Sequence, residues 1–368
     1  MVAAGPPLRA LDAAPLTIPF TTRFAHASAA RDETAAVVVT ARGADGVTGV
    51  GEGCPRPYVT GETIDSALAF VASHRASLLA IDGLDALRRW MSTHAVEIDR
   101  HPAAFCAVEL AILDRLGRLA GVPIEALLDL PPLSGAFQYS AILGDMDPAA
   151  FGRMAARYDA LGLDDVKVKL SGDLTRDRAK LAALGPLAGR RLRVDANNLW
   201  TDTATAEAYL RGLDAPLFAV EEPLAPAGRL DDLTALADAL GVPIVVDESA
   251  TTVADVADLT ATADRWLVNV RVSKMGGVLR TLDVVDTARG AGIGVIVGAQ
   301  VGETSRLTRA GLTVAHAAGD LLVAQEGAFG TLLLTRDVCD PPLMFGAGGR
   351  LDTADHPRLL AAGLGIEP

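Results

Sequence analysis

Six residues of this 368-residue chain have side chains suited to proton transfer or cation binding, and they recur at a near-constant interval: Lys167, Lys169, Asp195, Glu221, Asp247 and Lys274. From Lys169 onward the steps are 26, 26, 26 and 27 residues. Three carboxylates brought together repel one another unless a cation joins them. Hard oxygen donors with no neighbouring His or Cys suit Mg²⁺, with Mn²⁺ as a substitute, and leave coordination positions for water and substrate oxygens. An isolated Asp at a strand end caps the following helix just as well. Three acids in register favour the metal.

The lysines point the same way. Only four of the 33 basic residues are lysine, so arginine supplies the surface charge. Three of the four lie in the strand-like runs VKVKL (166–170) and VNVRVSK (268–274). Lysine, unlike arginine, gives up its proton once its pKa is lowered. A dication and a second ammonium nearby disfavour the charged amine and bring it toward general-base range. The expected task is removal of a proton from carbon beside a carboxylate, with the metal stabilising the enediolate. Lys169 and Lys274 would serve opposite faces, with Lys167 beside Lys169. The structural alternative for VKVKL is an exposed edge strand blocked by lysine.

Two ligand positions are ambiguous. VEEP offers Glu221 or Glu222, and VVDES offers Asp247 or Glu248. The interval selects Glu221 and Asp247. Their neighbours then point to the other face or along the rim, where Glu248 can pair with a lysine. Asn197, two residues after Asp195, is placed to support the ligands.

Elements that could position these residues are legible. Eight apolar runs end in polar residues: 137–143, 165–170, 191–197, 217–223, 243–249, 266–274, 292–300 and 320–327. Ala/Leu/Arg-rich helical stretches separate them. Strands alternating with helices indicate parallel βα units, and eight of this size make a (β/α)₈ barrel, an α/β fold. A doubly wound sheet would carry a glycine-rich loop after its first strand, whereas here the chain reads AILGDMD. In a barrel, functional residues gather at the C-terminal strand ends, which is where the charged residues lie.

Three segments are expected: an α+β capping domain over 1–130, the barrel over 131–334 and a C-terminal strap over 335–368 that packs back on the capping domain. In the first, DETAAVVVTARGADGVTGVGEGCP reads as two strands joined at GADG and followed by a glycine-rich loop. PAAFCAVELAILDRLGRLAG reads as a helix stopped by Gly121. Half of the residues are hydrophobic, ample for a large core, and the net charge of −13 argues against nucleic-acid or anionic-membrane partners. Cys54, Cys106 and Cys339 suit a reducing cytoplasm better than a disulfide framework. No secretion signal and no membrane span are expected.

With these motifs in hand the chain resembles the enolase superfamily, in its muconate-lactonizing-enzyme-like subgroup. That superfamily's pairing of a Lys or His base with Mg²⁺ is a known pattern. The lysines 167 and 169 resemble the second-strand motif, whose second lysine is an acid/base. RVDAN, VEEP and VVDES resemble the metal motifs, and KMGG from Lys274 resembles the sixth-strand lysine motif. GAQVGETS puts Glu303 where the subgroup often has an acid. The resemblance implies an Mg²⁺-dependent epimerase or racemase of a small carboxylate such as an amino-acid derivative. A muconate-type cycloisomerase, a syn-dehydratase and a binding protein that has lost catalysis are the alternatives. It also implies a homo-oligomer and specificity loops around 19–32 and 51–62, with Arg23, His26, Arg31 and Tyr58 as substrate contacts. A Schiff-base lyase on a plain barrel would ignore chelators. The mandelate-racemase-like His–Asp dyad is missing: no histidine falls between Lys274 and His316. The DxD of many dipeptide epimerases is replaced by AQEGAFG, with Glu326.

Overall fold

The computed structural model describes residues 6–26, 29–225 and 230–368 and, within them, all side chains except those of residues 23–26 and 29–30. Eight strands form one parallel sheet in chain order: β1 (Ala141–Leu143), β2 (Asp165–Lys169), β3 (Arg191–Asp195), β4 (Leu217–Glu221), β5 (Ile244–Val246), β6 (Trp266–Val270), β7 (Gly294–Val297) and β8 (Leu322–Gln325). The Ser140 N–H donates to Gln325 O at 2.8 Å, which brings the chain entering β1 against β8. The sheet is therefore of the (β/α)₈ barrel type expected.

Alternation along the strands sorts the side chains. Val166, Val168, Val194, Val220, Val246, Val268 and Val270 join the large core shared with the helices. Ala219, Val245, Leu267, Ile296 and Ala324 form a separate apolar cluster inside the barrel. Side chains two residues further along a strand share its face. Above this plug therefore come Glu221, Asp247, Asn269 and Glu326, all buried. The barrel has an apolar floor and a charged layer on top of it.

Three elements differ from the sequence expectation. The run 137–143 divides in two. Ala136–Gln138 pairs antiparallel with Arg350–Asp352, and only Ala141–Leu143 enters the barrel. The glycines of TGVGEG are strand, not loop: Thr48–Gly53 pairs antiparallel with Ala36–Gly43. A Cβ on Gly49, Gly51 or Gly53 would lie 2.2, 2.1 or 1.9 Å from the carbonyl oxygens of Ala111, Ala107 and Ala103. The glycines allow the helix Pro102–Ala120 to lie directly on the strand. That helix stops at Gly121, whose φ of 71° is left-handed. Lastly, the sixth strand ends at Val270, and Val272–Met275 is a helical turn.

The N-terminal elements are tied to the barrel by buried polar contacts. Glu109 accepts from the N–H groups of Val278 and Leu279 at 2.7 and 2.8 Å. Glu52 accepts from Thr304 N at 3.0 Å, and Cys54 N donates to Ser273 Oγ at 2.8 Å. The C-terminal residues reach both parts. Leu364 N donates to Asp114 Oδ1 at 2.7 Å, and Arg309 donates to Leu359 O at 3.0 Å.

Candidate active site

The charged layer is an interlocked set of ion pairs. Lys167 Nζ donates to Glu221 Oε1 at 2.6 Å and lies 3.2 Å from Asp195 and 3.4 Å from Glu326. Lys169 Nζ donates to Asp195 Oδ2 at 2.6 Å and to Asn197 Oδ1 at 3.0 Å. Arg193 spans Asp165 and Glu326 at 2.8 and 2.9 Å. These contacts follow from parallel register: Lys169 pairs with Asp195, and Asp195 with Glu221. Lys180, the fourth lysine, donates to the backbone oxygen of Lys169 at 2.7 Å and holds that strand end in place.

Charge and burial set the protonation states. Burial pushes Asp195 up, but Lys169 and Lys167 outweigh it and hold the carboxyl below its ordinary value. Glu326 likewise is held down to about 2 by Lys167 and Arg193 despite burial. Burial dominates at Glu221, which is raised. Lys167 departs from the expected lowering. Burial pushes its ammonium down, yet Glu221, Glu326 and Asp195 carry it above the usual lysine value. An amine enclosed by three carboxylates is a poor base.

Above this layer lies a cavity of about 460 Å³ whose wall includes Lys167, Lys169, Asn197, Arg271, Gln300 and Glu303. Glu248, Glu326 and Tyr58 also face it, and the rest of the wall mixes Met146, Met154, Phe329 and Leu332 with Asp145, Asp147, Arg153 and Arg157. Burial raises Glu303 to about 8, and its Oε1 accepts from Gln300 N–H at 2.7 Å. Burial and the nearby acids raise Glu248 to about 7. The Arg31 guanidinium lies 5.8 Å from the Tyr58 ring centre. The side chains of Arg23 and His26 lie outside the described residues. His316 stands away from the strand ends, in an open groove of about 590 Å³ with Arg88, Arg280 and Asp286.

Lys274 is placed elsewhere. It is wholly buried and does not line the cavity. Its Nζ donates to the backbone oxygens of Asp247, Ala250 and Asn269, the last two at 3.0 and 2.8 Å, and lies 3.0 Å from Asp247 Oδ1. Burial first and Arg271 second lower it to about 7. The cavity-facing cation of the sixth unit is Arg271. Its guanidinium bonds Asp247 Oδ2 and donates to Gln300 Oε1 at 3.0 Å. VNVRV alternates as VKVKL does, so Asn269 and Arg271 share the inward face. Lys274 has the parity of Val268 and Val270, and the helical turn carries it under the loop after β5.

The acidic trio has the donor chemistry for a hard dication. Asp195 and Glu221 end β3 and β4, and Asp247 follows β5 directly. Glu221 Oε2 is buried without a hydrogen-bond partner, a lone-pair site that a cation would satisfy. Glu222 turns away and accepts from Asp247 N at 2.6 Å and Ser249 N at 2.8 Å. Among the described residues no three acidic, His or Cys side chains stand close enough to share one ion, because lysine and arginine occupy the carboxylates.

Known proteins complete the comparison. Residues 11–129 match the family described as mandelate racemase / muconate lactonizing enzyme, N-terminal domain, and residues 150–368 match enolase C-terminal domain-like. The chain belongs to the enolase superfamily, in its muconate-lactonizing-enzyme-like subgroup. It is 30% identical over 352 residues to an L-Lys-D/L-Arg epimerase of Methylococcus capsulatus, covering 94% of this chain and 95% of that one. It is 29% identical over 359 residues to muconate cycloisomerase 1 of Rhodococcus opacus, covering 94% and 91%. A dipeptide epimerase of Enterococcus faecalis, solved with Mg and L-Leu-L-Tyr, superposes with a TM-score of 0.81 at 25% identity, covering 98% of this chain and 100% of that one. These enolase-superfamily relatives are isomerases by name. Among the described residues no helix is long and apolar enough to cross a membrane.

Proposed function

We propose that this enolase-superfamily protein is an Mg²⁺-dependent isomerase of small carboxylates, acting on the proton next to the carboxylate. Asp195, Glu221 and Asp247 would hold the ion, which when bound supplies positive charge to the substrate carboxylate and eases loss of that proton. Lys169 is the acid/base. It lies at the end of β2 in the cavity wall, and 9% of its side chain is exposed. Asn197 and Asp195 fix its ammonium from one side. Lys167 bridges Glu221 and Asp195 and positions both carboxylates. Met146, Met154, Phe329 and Leu332 suit the hydrocarbon part of an amino-acid derivative. The observation that carries the reading is the placement of Lys169 and the acidic layer at the base of one cavity.

Incubation with Mg²⁺ in D₂O should wash deuterium into the carbon beside the carboxylate of L-Leu-L-Tyr or another N-substituted amino acid, read by NMR. Lys169→Ala should slow this by about 10²–10⁴-fold, the usual weight of a general base. Undiminished exchange in that variant would remove Lys169 from the mechanism.

A further inference from the structure

The two walls of the cavity that face each other carry different cations. β2 and β6 are four strands apart in an eight-strand sheet, so their ends stand on opposite sides of the barrel mouth. The β2 wall presents an amine, Lys169. The β6 wall presents Arg271, buried with 10% of its side chain exposed and braced by Gln300 and Asp247. Lys274, the β6-side amine, is 0% exposed, and its ammonium is taken up by the backbone oxygens of Asp247 and Ala250 after β5 and of Asn269 in β6, with Asp247 Oδ1 beside them.

Building on the function above, we propose that proton transfer in this enzyme runs on one face of the substrate only, through Lys169, while Arg271 is a fixed cation that grips an oxygen group on the opposite face. A guanidinium stays charged in proteins and presents a planar fork of donors matched to carboxylate oxygens. It binds and neutralises; it does not accept a proton from carbon.

The chemistry then balances as follows. Lys169, as the free amine, takes the proton from carbon, the C–H bond breaks and its electron pair passes into the carboxylate-conjugated system. In elimination that pair then forms a C=C bond as the C–O bond at the neighbouring carbon breaks, the oxygen leaves as a carboxylate and the proton stays on Lys169. In the reverse ring closure a carboxylate oxygen adds to that carbon and the Lys169 ammonium delivers its proton to the same face; with no oxygen transfer the proton simply returns and the carbon exchanges. Inversion at the carbon would need a second donor on the Arg271 side. Glu303 also stands near that wall, with its Oε1 engaged by Gln300 N–H, and its replacement by Gln in the test below checks whether it supplies that proton. The reaction class is therefore an addition, elimination or ring closure of a carboxylate oxygen across two carbons, as in cycloisomerisation. The substrate carries a second oxygen-rich group for Arg271.

Two measurements decide this. With four lysines in the chain, reductive methylation by formaldehyde of the folded, Mg²⁺-saturated enzyme can be followed at each one by peptide mass spectrometry. Lys169 should be labelled while Lys274 is protected to the same degree as Lys180, which is buried against Asp177. Labelling of Lys274 as fast as Lys169 overturns the proposal. In D₂O with Mg²⁺, L-Leu-L-Tyr and muconolactone serve as probes, followed by NMR and chiral chromatography. Deuterium should enter L-Leu-L-Tyr with the starting configuration kept and replace one of the two methylene hydrogens of muconolactone, and the exchange left in Glu303→Gln should show the same stereochemistry. Arg271→Lys, which restores an amine to that wall, should begin to form the opposite configuration. Formation of the epimer by the wild type at the rate of exchange overturns the one-face assignment. No exchange from either probe counts against proton transfer at carbon itself, and the methylation pattern still decides where the amines stand.

Discussion

The second and sixth strands each bring a polar pair to the barrel, and they treat it differently. On β2, Lys167 and Lys169 are two residues apart on an unbroken strand, so both enter the interior. After β6, Arg271 and Lys274 are three apart, and a helical turn lies between them. One cation lines the cavity and the other becomes an internal strut. The same side chain, lysine, is thus the proposed reagent on one wall and, by its contacts, a brace on the other. What separates them is parity along the strand and what the ammonium has left to bond.

Removing the dication should have the largest effect, because it leaves the β2 wall without the charge that acidifies substrate carbon. Chelation with EDTA should abolish turnover, and Mg²⁺ should restore it. Full activity in a sample shown to be metal-free by elemental mass spectrometry would end the metal reading.

Stability comes next and sharpens the contrast directly. Lys274→Met leaves the buried carbonyls of Asp247, Ala250 and Asn269 without their donor, while Arg271 still pairs Asp247, and should cost about 3–5 kcal/mol in denaturant unfolding. Lys169→Met leaves Asp195 still paired with Lys167 and should cost clearly less. Equal losses in the two variants would show that both lysines are braces.

Last comes a pH dependence on the Arg271 side. Burial raises Glu303 from 4.5 to about 8. Between those values the folded chain holds a proton that the unfolded chain releases, so stability falls as pH rises through this window and levels off above it. Glu303→Gln should flatten that fall in a melting-temperature series from about pH 5 to 8. An unchanged slope would mean that Glu303 titrates normally.

Much of this was legible beforehand. The βα repeat gave the barrel, and the interval of 26 residues picked Glu221, which faces the interior with Lys167, over Glu222, which bonds the loop after β5. At its last step, of 27 residues, the interval reaches Lys274, which does not line the cavity. Alternation in VNVRV would have named Arg271 and Asn269, as it named Lys167 and Lys169. Arg193 could have been found in the same way from RLRVD. The glycines of TGVGEG carry no sign of helix contact in their own sequence, because the reason for them lies on Pro102–Ala120, 50 to 62 residues away.

By itself the sequence determined the local terms: strand period, helix stops, the spacing of acids and the rarity of lysine. These depend on neighbours a few residues apart, so the chain states them outright. Tertiary structure alone decided which cations meet which carboxylates, that Lys167 is held charged, and that Lys274 is enclosed by backbone oxygens. Those outcomes depend on distance and burial between residues from different strands, and electrostatic energy at a few ångströms is set by that geometry.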